Sequence, residues 1–131
     1  MGHTRHHAIL ITTFDKDAAI AAHQRAVDLC QDLVSEIRES AVNGYYSFAI
    51  FPDGSSESWP DSDKGDEQRA ALKAWLESQR YEDHGSRYDW VEVQYGDDGG
   101  ETCIIEDSDA WRRQGEPIIV DAVSYLPAAK E

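Results

Sequence analysis

The side chains best suited to chemistry come at the very start of the chain. MGHTRHHAILITTF places His3, Arg5, His6 and His7 within five positions, directly ahead of an apolar run. Imidazoles and a guanidinium at that density are the groups that ligate a divalent metal, hold a phosphate or move a proton near neutral pH. In an extended chain, however, adjacent side chains diverge, and residues three apart also point to opposite faces. One strand cannot bring all three imidazoles to one ion. Zinc ligands usually come from separate elements, and neither His23, in a helical pattern, nor His84, in a loop, has a sequence relation that reports proximity to the cluster. Two expectations follow for His3, Arg5, His6 and His7: a ligand-binding group for a metal or a phosphorylated compound, or a solvated polar lead-in to a strand.

The second kind of chemistry is acidic. SSESWPDSDKGDE carries Glu57, Asp61, Asp63, Asp66 and Glu67 within eleven positions. A calcium loop needs alternating oxygen ligands, and here Gly65 stands where a third acid belongs, with no bidentate Glu at the right distance. Helix capping accounts for the same acids. A second cluster, Asp97, Asp98, Glu101, Glu106, Asp107 and Asp109, contains no Lys or Arg. Trp59, Tyr95 and Trp111 lie beside these clusters, and an aromatic anchor in a charged rim is what a protein-binding surface uses. The expected partner-binding residues are Trp59, Asp61, Asp63, Asp97, Asp98 and Trp111. No catalytic residue is assigned, because no Gly-x-Ser-x-Gly elbow occurs and neither cysteine has a nearby His or a helix N-terminus. GDDGG at 96–100 leads into a strand where a phosphate loop would open a helix. No metal and no cofactor is expected.

The elements that must position these groups are legible as patterns. HAILITTF, residues 7–14, reads as a buried strand. Asp15 or Thr13 caps a helix through residue 37, whose apolar stripe is Ile20, Val27, Cys30, Leu33, Val34 and Ile37. YYSFAIF, residues 45–51, alternates as a strand; PDGS at 52–55 turns it into a short return strand through Glu57 and Trp59. A second helix begins at Asp66 and buries Leu72, Trp75, Leu76 and Gln79. DWVEVQY and ETCIIED make a hairpin around GDDGG. The expected fold is α+β in the ferredoxin-like βαββαβ order with one added strand, a mixed or antiparallel sheet and both helices on one face. Residues 1–110 are expected to form this single domain. Residues 111–131 read as a C-terminal extension that adds an edge strand or contacts a second copy, so a homo-oligomer is expected.

Composition bounds the function. The chain has 131 residues, 40% hydrophobic, and a formal net charge of −14 from 26 acids against 12 bases. That charge repels nucleic acid and anionic membranes and suits a partner with a basic surface. Cys30 and Cys103, each among apolar neighbours, read as small reduced core residues. With no long apolar run and no signal-peptide pattern, a cytoplasmic protein is expected.

Two resemblances add context. His3-Thr4-Arg5 resembles the His-x-Thr triplet that two-histidine phosphoesterases carry twice, in which imidazole is acid or base and the hydroxyl holds phosphate; here it is read as a single copy. Residues 43–107, from NGYYSFAIF through YDWVEVQYGDDGGET, together with the opening GHTRHHAILIT, resemble small acidic proteins encoded by bacteriophages and prophages. That resemblance implies a viral protein acting inside a bacterial cell and brings no catalytic residues. The leading expectation is a protein that binds and inhibits a host factor through an acidic and aromatic surface, with mimicry of nucleic acid as one form. The other is a metal- or phosphate-binding protein, or a small phosphoesterase-like enzyme, built on the histidine cluster.

Overall fold

The structure is a computed structural model and describes residues 5–55, 59–83, 85–96 and 102–109. β1 (His6–Thr13) forms because aliphatic and β-branched residues alternate along it. Ile9, Ile11 and Thr13 point inward and are buried, while Leu10 is half exposed on the other face. Asp15 stops the strand: its carboxylate accepts the Asp17 N–H at 3.0 Å, and α1 (Lys16–Cys30) starts there.

α1 buries a stripe of small residues, Ala18, Ala22, Ala26 and Cys30, spaced by four, with Ala19 beside them. This corrects the expected stripe and the expected length. Ile20 is 50% exposed, and the helix ends at Cys30, seven residues early, where Gln31 takes a left-handed φ of 53°. One 3-10 turn, Gln31–Leu33, follows. The chain then runs extended beside the next long strand, where β-branched Val34 and Ile37 are better accommodated than in a helix. Ser35 N–H donates to the Ala49 carbonyl at 2.8 Å, and the Ser35 hydroxyl accepts the Ala49 N–H at 2.8 Å. A side chain thus stands in for a ladder carbonyl.

β2 (Arg38–Glu39) is joined to β3 (Tyr46–Ile50) through Asn43 and Gly44, both with left-handed φ, as a tight hairpin connection requires. The short strand therefore precedes the long one. Residues 51–55 and Trp59 are not strand, and Glu57 lies outside the described residues. α2 (Pro60–Ser78) begins six residues before the expected Asp66, because Pro60 is preset for a first helical position and Asp61 and Asp63 complement the helix dipole. Its buried side is Gly65, Arg69, Leu72 and Leu76.

β4 (Asp89–Tyr95) and β5 (Cys103–Asp107) pair as the expected hairpin, with an irregularity between Glu92 and Val93. The five strands lie in the order β2-β3-β1-β4-β5, every neighbouring pair antiparallel. The architecture is α+β. Both helices and one sheet face share a core of Ile9, Ile11, Phe48, Ile50, Leu72, Leu76 and Trp90. Tyr88 fixes α1 to the sheet by donating from its hydroxyl to the Ala18 carbonyl at 2.9 Å. Cys30 is buried as expected, but Cys103 is exposed on β5, the edge strand of the sheet. Among the described residues, no helix is long and apolar enough to cross a membrane. The extension 111–131 lies outside them.

The alanine stripe makes a direct prediction. Ala22→Leu should lower unfolding free energy by about 1–3 kcal/mol, through overpacking against the sheet, while Ile20→Ala should change it by less than about 0.5 kcal/mol. Urea unfolding of the two variants checks this.

Candidate functional site

β1 separates the histidines that the sequence places together. His6 faces away from the helices, its ring 5.3 Å from that of Tyr95 and close against Gly96, whose φ of 88° and missing Cβ permit the approach. His7 faces the helices, with Nδ1 3.5 Å from Glu92 Oε2. That distance brings ring and carboxylate into contact, but among the described residues Nδ1 has no hydrogen-bond partner. Arg5 precedes the strand, and its buried Nε has no hydrogen-bond partner among the described residues; His3 lies outside them. Among the described residues, no group of three His, Cys, Asp or Glu side chains is placed to hold a metal. His23 packs edge-on against Phe48, and its Nε2 lies 2.8 Å from the Ser35 carbonyl.

The phosphoesterase-like expectation rested on His3-Thr4-Arg5, but that triplet has Arg5 where the hydroxyl belongs, and the one His-x-Ser/Thr triplet of the sequence is His84-Gly85-Ser86. His84 lies outside the described residues. Ser86 sits at the Thr13 end of β1, where the Thr13 hydroxyl donates to the Arg87 carbonyl, and its own hydroxyl donates to the Tyr88 carbonyl. His6 and His7 are at the other end, seven residues of strand and about 23 Å away. Ser86 and the histidines of β1 do not converge.

On the helix-covered side of the sheet, α2 and β4 assemble a buried charge cluster that the sequence reading missed. Glu92 of β4 is 3% exposed. Its carboxylate accepts from Arg69 Nε at 3.1 Å and from Lys73 Nζ, two cations one turn apart on α2. Arg69 also pairs with Asp66, and Lys73 pairs with Glu106 at 2.8 Å. Burial pushes the Lys73 ammonium down, but the hydrogen bonds and charges of Glu106 and Glu92 outweigh it and raise its pKa above the ordinary value. Two bases and three acids leave this cluster with no spare positive charge for an anion. Its chemistry is that of a structural ion-pair network.

The network reaches the surface through Gly65. A Cβ there would stand 2.8 Å from Asp53 Oδ2 and 3.2 Å from Arg69 Nη1, so only glycine lets that carboxylate and guanidinium approach across α2. Burial raises the Asp53 pKa, but hydrogen bonds from the Ser55 N–H and hydroxyl, with the Arg69 charge, outweigh it and hold the carboxyl below the usual range. Asp53 is one wall of an open cleft. Asp32, Asp61, Trp59, Lys64 and Gln68 line it with Cys30 and Leu33. Burial pushes the Cys30 thiol up, against the opposing pull of Arg69, which disfavours a thiolate nucleophile there.

Of the expected partner-binding residues, Trp59 and Asp61 meet at this cleft, and Asp63 is exposed in the same first turn of α2. Trp59 is 50% exposed. Asp97, Asp98 and Trp111 lie outside the described residues. Asp32 and Asp53 were not singled out from the sequence, because only the fold brings the end of α1 and the loop after β3 beside Trp59. The chain matches no family model, no curated protein and no solved structure.

The raised Lys73 pKa carries a sign. Its stabilisation is complete below the unfolded-state value and is lost as pH rises through the folded-state value. Unfolding midpoints in urea should therefore fall on the alkaline side. Lys73→Met, measured over the same range, should flatten that alkaline limb while lowering stability near neutral pH.

Proposed function

We propose that this chain is a non-enzymatic binding protein that engages a basic partner at the cleft beside the start of α2. The observation that carries the reading is Trp59, half exposed with Asp32, Asp53 and Asp61 around it. An exposed indole offers apolar area at little conformational cost, and carboxylates around it steer and orient a cationic partner. The net charge of −14 adds long-range attraction. The leading form is inhibition of a host factor by a phage-type protein in the bacterial cytoplasm, with mimicry of nucleic acid as the way a basic groove would be occupied.

The ferredoxin-like description belongs with this proposal. The order β1-α1-β2-β3-α2-β4, with β1 between β3 and β4, supports it, and β5 is then the added strand. The fold says nothing of the partner. The reading of Arg5, His6 and His7 as a ligand site draws less support, since β1 turns His6 and His7 to opposite faces.

The test is capture of proteins from a bacterial lysate by the immobilised full chain at low and high salt. A specific basic protein should be retained at low salt and released as salt rises. Trp59→Ala, or Asp61→Asn with Asp63→Asn, should weaken its binding by about tenfold or more. In the mimicry form, duplex DNA competes with the chain for the captured protein. Retention that ignores both salt and Trp59→Ala would overturn the reading.

A further inference from the structure

The sheet face turned away from the helices carries an apolar patch that is, among the described residues, uncovered. Leu10, Phe51 and Ile104 are 52%, 53% and 62% exposed. Register places Leu10 across from Val91 and Val93 across from Ile104, so these side chains form one surface over three neighbouring strands, with Phe51 beyond them. A surface of this kind on a chain so rich in charge marks a contact.

The chain itself leads to that face. Ser108 N–H donates to the Trp90 carbonyl at 2.9 Å and the Ser108 hydroxyl accepts the Trp90 N–H at 3.1 Å, which folds the end of β5 back against β4. Asp109 then lines a shallow depression with Leu10, Thr12, Asp89 and Val91. The 22 residues beyond it include IIVDAVSYL at 118–126, between Pro117 and Pro127, with seven of its nine residues apolar. From Asp109 to Ile118 the chain can reach about 30 Å at roughly 3.3 Å per residue. Crossing from β5 to β3 takes three strand spacings, about 14 Å. The connecting residues include Arg112 and Arg113, opposite in charge to Asp89 on the rim.

We propose that residues 118–126 of this same chain dock on the open sheet face and bury Leu10, Val91, Val93 and Ile104. The occupant is intramolecular because the exit point lies on the face and the connection spans it with length to spare. The acidic cleft at the start of α2 is separate from this face.

Hydrogen–deuterium exchange on the full chain tests this. Amides of 118–126 should exchange at least about tenfold slower than an unstructured chain, equally at two protein concentrations a hundredfold apart, with a monomeric mass by sedimentation. Leu10→Gln should release that protection while leaving amides of α1 and α2 unchanged. Ile104→Gln, on the edge strand where folding is less at risk, should do the same. Unprotected amides in 118–126, or protection that both variants leave intact, would overturn the proposal. Protection that rises with concentration alongside a dimeric mass would overturn it in favour of a second copy as the occupant.

Discussion

A carboxylate removed from water between a sheet and a helix must be neutralised where it sits, and Glu92 imposes that condition on this fold. Its partners Arg69 and Lys73 are four residues apart on α2, so the helix can lie on the sheet in only one rotation that satisfies both oxygens. Leu72 and Leu76 enter the core at the same rotation, on the buried side of α2 that also carries Arg69. The ion pairs add little net stability over an apolar core of the same volume. What they add is uniqueness, since turning α2 by one residue would strand a buried charge.

The same constraint extends to the surface. Arg69 reaches past Gly65 toward Asp53, whose carboxylate also holds the turn at Ser55. The loop after β3 is thereby tied to the first turns of α2, and that tie sets Asp53 and Asp61 around Trp59. The acidic cleft is thus a consequence of core electrostatics and more than a chance grouping of solvating acids.

The sequence made some of this legible and hid the rest for identifiable reasons. β1, the β4–β5 hairpin and the existence of both helices follow from a short run of β-formers, alternation around a turn-rich connection and helical spacing. The stripe on α1 was misjudged because Ala18, Ala22 and Ala26 carry almost no hydrophobic weight, so Ile20 and Val27 defined the wrong face. In DWVEVQY the apolar phase Val91, Val93 and Tyr95 looks like the core side. The buried phase is Trp90 and Glu92, because the helices lie on that side of the sheet. A signal was present nonetheless: Arg69 and Lys73 share the stripe of Leu72 and Leu76, and two cations on an apolar helix face call for a buried acid opposite. The histidine cluster misled in the other direction, since density along the chain is not proximity in space when the residues lie on a strand.

A double-mutant cycle between Arg69 and Glu92, using Arg69→Met and Glu92→Gln and read by urea unfolding, tests the central claim most directly. Each single change should cost about 2 kcal/mol or more, because Arg69→Met leaves the buried Glu92 carboxylate with Lys73 alone, and Glu92→Gln leaves Arg69 with only the exposed Asp66. The double variant should cost less than the sum by about 1.5 kcal/mol or more. Additivity within about 0.5 kcal/mol would contradict the account, and would mean that α2 is seated by its leucines alone.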